Sequence, residues 1–316
     1  MRAPTGDQYE LAVDTPDGRA RAVITQVAAG IRSYAVDGID LTEPFDENST
    51  PPSGCGIVLV PWPNRVKDAT WWLRDESGSV AEQRLAVTEP KLGNAIHGLL
   101  RYSPYLLTMR TKDSVTLAAT VYPQLGYPFL LDTSVRYALS ADGLEVTHTI
   151  RNAGEADAPV ALGAHPYLKI GGVPTADLVL RVDATTHFEV DDQLNVLGEH
   201  PVHGTEFDLR AGVRVRDLKL DDGFGGVLHS SGKAQHSLTA PDGRAVTLWT
   251  DDAFGFAQVF THRSFATLPA GDVTVAVEPM TAPANALNSG QGLRWLSPGE
   301  TFTARWGISA SLAVEG

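Results

Sequence analysis

Apolar and polar positions alternate with a period of two along most of the chain, the spacing of β-strands with one buried face. In residues 135–150, V-R-Y-A-L-S-A-D-G-L-E-V-T-H-T-I, Val135, Tyr137 and Leu139 point one way, and Leu144, Val146 and the positions after them continue the period. Comparable runs flank Asp17-Gly18 and Asp242-Gly243, and further Asp-Gly steps stand at Asp37-Gly38 and Asp222-Gly223. Asp-Gly between alternating runs predicts hairpins, because both turn positions take positive φ. P-D-G-R-A occurs twice, at 16–20 and 241–245, with unlike flanks, so it reads as recurring turn chemistry. Long amphipathic helices are missing, and the best helical candidate is one or two turns at 283–288. No low-complexity linker divides the chain. The expected architecture is all-β, a large antiparallel β-sandwich or closed barrel, with residues 1–316 as one domain.

Composition narrows the class. With 43% hydrophobic residues in 316, a large core can form without disulfides or a structural metal. Cys55 is the single cysteine, so no internal disulfide is possible, which fits a reducing compartment. The start MRAPTGDQYE has no apolar leader, and no run approaches 18 apolar residues. A cytoplasmic protein without a transmembrane helix is expected. A net charge of -13 disfavours nucleic acid and anionic membranes as partners, since both require clustered Lys and Arg. A neutral small molecule is compatible with it.

Four stretches can carry chemistry. In G-A-H-P-Y, Pro166 pushes His165 to an extended conformation, and Ala161 and Gly163 leave its strand face nearly bare, with room for a ligand. A core histidine with satisfied nitrogens fits the same pattern. In V-T-V-A-V-E-P-M, Thr274, Ala276 and Glu278 share one face, and an apolar setting would raise the Glu278 pKa towards general-base range. A strand-end carboxylate turned to solvent is the alternative. In N-A-I-H-G, His97 precedes Gly98, which allows positive φ or close backbone approach. In P-W-P-N-R, a proline-stiffened loop offers the Trp62 indole face, the Asn64 amide and the Arg65 guanidinium, a set suited to polyol hydroxyls. Gln258 lies in a mostly apolar strand and needs partners from protein or ligand, while Asp221 and Asp222 precede an expected turn. His200 and His203 have an H-x-x-H spacing, but in a proline loop with no further ligand nearby, so no metal site is expected.

In order, P-W-P-N-R, N-A-I-H-G, A-H-P-Y, D-D-G-F, A-Q-V-F-T, V-E-P-M-T and the ending L-S-P-G-E-T before W-G-I resemble the aldose 1-epimerase (galactose mutarotase) family. The likeness runs from about residue 55 to the end, and the tryptophan and proline before Asn64 place it closer to a bacterial branch. It implies a galactose mutarotase-type β-sandwich and interconversion of the α and β anomers of a free aldose, without cofactor or metal. By motif, Glu278 is implied as the base at the C1 hydroxyl, His165 as the acid at the ring oxygen and His97 as a second histidine beside it. Arg65, Asn64, Gln258 and Asp221, with Asp222 adjacent, are implied as groups that hold sugar hydroxyls. Two other classes are compatible with parts of the pattern: a sugar-binding or sensing module on the same fold, and a glycoside hydrolase, which would use two flanking carboxylates.

Overall fold

A computed structural model describes residues 2–74, 78–265, 268 and 272–313. Among them, most strands fall into three antiparallel sheets. The nine-stranded sheet runs in space Leu106–Arg110, Ser114–Val121, Leu131–Ser140, Gly143–Asn152, Thr301–Ser311, Ala245–Thr250, Ala234–Thr239, Val179–Val182 and Val213–Arg214. Burial alternates along Leu131–Ser140 and Gly143–Asn152, with Val135, Tyr137, Leu139, Leu144 and Val146 inward as the period of two requires. The eight-stranded sheet runs Val196–Pro201, Thr186–Val190, Asp221–Gly225, Phe256–His262, Thr274–Met280, Gly163–Ala164 and Val58–Leu59, with Tyr167–Leu168 also paired to Thr274–Met280. Gln8–Thr15, Gly18–Thr25, Ile31–Val36 and Ile39–Asp40 form a four-stranded sheet.

One apolar cluster joins the three sheets. It holds Leu11 and Ile24 from the first, Val135 and Val146 from the nine-stranded sheet, and Val259, Val275 and Val277 from the eight-stranded sheet. Each such side chain stabilises by roughly 1.5–3 kcal/mol on burial, which makes this shared core the main force holding the sheets together. The architecture is the expected all-β one built of large antiparallel sheets. The sole α-helix among the described residues, Ala286–Ser289, overlaps the expected helical span, and no helix is long and apolar enough to cross a membrane. Cys55 is buried with a free thiol.

The hairpins form where expected, but two of their turns sit one residue earlier. Thr15 pairs with Gly18 and Ser140 with Gly143, so the loops are Pro16–Asp17 and Ala141–Asp142. The glycines begin the return strands at φ +108° and +120°, values that only a residue without Cβ adopts freely. In the third hairpin Thr239 pairs with Ala245, which leaves a five-residue loop. Asp37-Gly38 is the step that behaves as anticipated, with φ +48° and +77° between paired Val36 and Ile39. Asp222-Gly223 makes no turn. It lies inside Asp221–Gly225, where a Cβ on Gly223 would stand 3.2 Å from the Phe188 ring and 3.3 Å from the Gln258 amide oxygen, so the glycine serves close packing.

Candidate active site

All seven residues of the strand Thr274–Met280 are buried, so both of its faces are covered. Val275 and Val277 enter the core together with Val259 and Phe224 of the neighbouring strands. By the period of two, Glu278, Gln258 and Asp221 therefore point to the opposite face. Register places them side by side, Glu278 opposite Gln258 and Gln258 opposite Gly223, two residues from Asp221. Loop segments around Ser53, Asn64-Arg65, Glu89–His97 and Leu194 complete a cavity of about 390 Å³ over this face. Asn64, Arg65, His97, His165, Asp221, Gln258 and Glu278 all line it.

Local backbone geometry fixes the two histidines. His165 donates its N–H to the Ile57 carbonyl at 3.0 Å and accepts from the Gly56 N–H at 2.8 Å, the extended posture that Pro166 favours. Its ring stacks on Tyr167 (5.2 Å between centroids, 22°) and meets the edge of His97 at 5.3 Å. His97 has φ +63°, and its N–H donates to the Asn64 carbonyl at 3.0 Å. A Cβ on the following Gly98 would lie 2.0 Å from the Val60 carbonyl oxygen, so the close approach expected there is real.

His165 Nε2 stands 3.4 Å from Glu278 Oε1, and Glu278 is only 2% exposed. Its Oε2 has no protein partner. Burial pushes the Glu278 carboxyl well above the usual carboxylate range; the Asp221 charge adds to this, and Arg65 opposes it. Burial also lowers the His165 imidazole to about 4 and holds His97 well below its ordinary value, with His165 and Arg65 contributing to the latter. A carboxyl raised and an imidazole lowered, in contact, form a coupled pair between which a proton can pass. That is the equipment for moving protons between two oxygens of one ligand.

The other end of the cavity holds hydrogen-bonding groups. Arg65 bonds Glu89 through Nε at 2.9 Å and Nη2 at 3.1 Å, and its Nη2 also reaches Asp221 Oδ2 at 3.2 Å. Gln258 Nε2 donates to Asp221 Oδ1 at 2.8 Å. Asn64, at φ +54°, accepts the Arg65 N–H on its side-chain oxygen at 2.7 Å. Asp222 turns to the other side of its strand, where it meets His187 Nε2 at 2.8 Å and accepts the Asp221 N–H at 2.9 Å. Glu89, Ser53 and His262 also line the cavity, the last two 3.1 Å apart, and all three escaped the sequence reading. A signal for Glu89 existed: like His165 and Glu278, it directly precedes a proline.

Two expectations about this region differ from the structure. The bare face beside His165 leaves no room for a ligand, because a Cβ on Gly163 would lie 2.8 Å from Pro63, and Ala161 packs with Ala282 and Ala286. The Trp62 indole is 2% exposed and tilts against Tyr127 in the core, away from the cavity. His200 and His203 take separate carboxylates, Glu189 at 3.1 Å and Asp208 at 4.0 Å. Ligand atoms of His97, His165 and Glu278 do lie within 4.8 Å of one another, a spacing a cation could bridge. Yet neither histidine Nδ1 has a partner, whereas a metal-bound imidazole is normally held by a hydrogen bond at its other nitrogen.

Residues 11–309 match the family model described as Aldose 1-epimerase. YihR of Escherichia coli (strain K12) is 30% identical over 285 residues, 90% of this chain and 88% of that protein. The crystal structure of galactose 1-epimerase from Lactobacillus acidophilus NCFM superposes with a TM-score of 0.76 at 18% identity, covering 98% of this chain and 97% of the other. An aldose epimerase homologue from C. elegans gives 0.79 at 18% identity, covering 96% and 99%. At such identities the two structures attest the fold.

Proposed function

The chain belongs to the aldose 1-epimerase family, and on that premise we propose that it interconverts the α and β anomers of a free aldose such as glucose or galactose without a cofactor. The observation that carries the proposal is the buried contact between His165 and Glu278 at the floor of a polar cavity. Opening a hemiacetal removes a proton from the C1 hydroxyl, breaks the bond from C1 to the ring oxygen and protonates that oxygen. Glu278 takes the first proton and His165 supplies the second, with His97 beside the ring oxygen. The C1–C2 bond then rotates, the two groups exchange roles, and the ring closes on the other face of the carbonyl.

The shared proton must sit on His165 for this cycle to start. The competent form has the imidazole protonated and the carboxyl ionised, whereas burial raises the carboxyl and lowers the imidazole and so opposes that charge-separated form relative to the neutral pair. The two forms differ by one proton moved across 3.4 Å. A sugar hydroxyl donating to Glu278 stabilises the carboxylate and draws the proton onto the imidazole. Arg65, Asn64, Gln258 and Asp221 supply donors and acceptors for the remaining hydroxyls. Freshly dissolved α-D-glucose and α-D-galactose, followed by polarimetry, should reach anomeric equilibrium faster with the protein than without it. Unchanged rates across a panel of aldoses would refute the proposal, and saturable binding without rate enhancement would indicate a sugar-binding module instead.

A further inference from the structure

Glu89 lies outside the proton-transfer pair, yet it is the principal partner of Arg65. We propose that Glu89 is a positioning residue, which holds the Arg65 guanidinium in the plane that offers its remaining amine, Nη1, to the sugar. Its kinetic consequences rest on the anomerase reading given above, while its effect on binding does not. The contact is bidentate, at 2.9 and 3.1 Å, and both side chains are largely shielded, 10% and 20% exposed. Bidentate pairing fixes the guanidinium plane, where a single bond would let it swing. Nη2 is completed by Asp221, and among the described residues Nη1 has no protein partner.

The Glu89 backbone is itself held. Its N–H donates to the Asn94 carbonyl at 3.0 Å, and its own carbonyl accepts from Leu92 and Gly93 at 3.1 and 3.0 Å. The Asn94 side chain ties this turn to the Gln193 carbonyl at 2.9 Å and to the Asp68 N–H at 3.2 Å. A carboxylate on so constrained a turn can orient its partner at small entropic cost.

Glu89 also sets the local charge. Arg65 sits between two carboxylates, Glu89 and Asp221. The groups around Glu278 are Gln258 from the neighbouring strand, Asp221 from the strand beyond it, His165 and Tyr167 from the 163–168 segment, and Arg65 and His97 from the covering loops, with His262 lining the same cavity. Neutralising Glu89 leaves Arg65 less balanced, which makes the potential at Glu278 more positive and eases loss of its proton. The alkaline limb of the rate profile, where the pair gives up that proton, must then move to lower pH.

The test uses Glu89→Gln, which keeps the shape, and Glu89→Ala, which does not. Sugar binding is read by saturation-transfer NMR, anomerisation by exchange NMR between pH 5 and 10, and folding by thermal melting. Glu89→Gln should raise both Kd and KM by about tenfold, the range for a charged hydrogen bond, with kcat changed by less than about twofold. Its alkaline limb should shift down in pH. Unchanged Kd in both variants would overturn the proposal, as would a fall in kcat with the melting temperature and no shift of the limb. If the wild type binds sugar without turning it over, the anomerase reading fails, and the Kd comparison still decides the role of Glu89.

Discussion

At the scale of residues, the consequence of the His165–Glu278 pair is a sharp dependence on one removable charge. Glu278→Gln is isosteric and deletes only the proton acceptor. It should lower kcat by about 10²–10⁴-fold while sugar affinity stays within a few-fold, because the groups proposed to hold the other hydroxyls, Arg65, Asn64, Asp221 and Gln258, are unchanged. The wild-type rate should fall on the alkaline side as Glu278, whose proton burial holds to higher pH, gives it up; residual activity of the variant should lack that limb. Exchange NMR across pH reads both, and full kcat in Glu278→Gln would show that the base is another group. The residues that meet in the cavity were visible in the sequence because each occupies a marked context: a residue before proline, a histidine before glycine, a glutamine in an apolar strand. What was not visible is which side chain faces the cavity when the context is loose. Asp221 and Asp222 are adjacent, and only the register with Phe256–His262 turns one to the cavity and the other to His187. Ser53 and His262 come from distant segments with no pattern to mark them.

At the scale of elements, the site depends on backbones that approach more closely than side chains permit. Gly98 lets the loop after His97 lie against Val60, with the Leu99 N–H donating to the Val60 carbonyl at 2.8 Å. A Cβ there would meet that oxygen at 2.0 Å, and the residue has φ +70°. Gly98→Ala should therefore destabilise the protein by roughly 2–4 kcal/mol and displace His97, while Gly172→Ala, with ordinary φ and nothing within 4 Å, should be close to neutral. Denaturant midpoints of the two variants measure the contrast, and equal stability would mean that the loop yields freely. The hairpins were legible because alternation and glycine are local signals. Two of their turns fell one residue early because glycine, rather than the Asp-Gly pair, marks the position of positive φ. The Trp62 assignment failed for a related reason: an apolar loop reads alike whether its indole faces a ligand or, as here, Tyr127.

At the scale of the whole molecule, strand order was beyond a local reading, since Gly143–Asn152 pairs with Thr301–Ser311 across half the chain. That long-range pairing buries titratable groups in both large sheets. His148 accepts the Trp306 indole N–H at 2.9 Å between those two strands, and His236 accepts the Asp183 N–H at 3.3 Å. Burial lowers His148 to about 3 and His236 and His165 to about 4, and His97 falls well below its ordinary value. These four stay neutral in the folded chain while the unfolded chain protonates them below about pH 6.5. Their contribution to stability is present above that pH and is lost as pH falls towards 4. Glu278 acts in the opposite sense, because its raised folded value favours folding as pH falls, and the raised Asp40, Glu43 and Asp251 act in the same direction. The two effects oppose one another between pH 7 and pH 5, and four buried histidines against one fully buried carboxyl make a net loss of stability the expected outcome. The thermal midpoint should therefore drop by several degrees between pH 7 and pH 5, and the drop should be smaller in His236→Gln, which removes one of the four without touching the cavity. A midpoint that holds or rises over that interval would show that the carboxyl groups, not the histidines, govern the acid response of the fold.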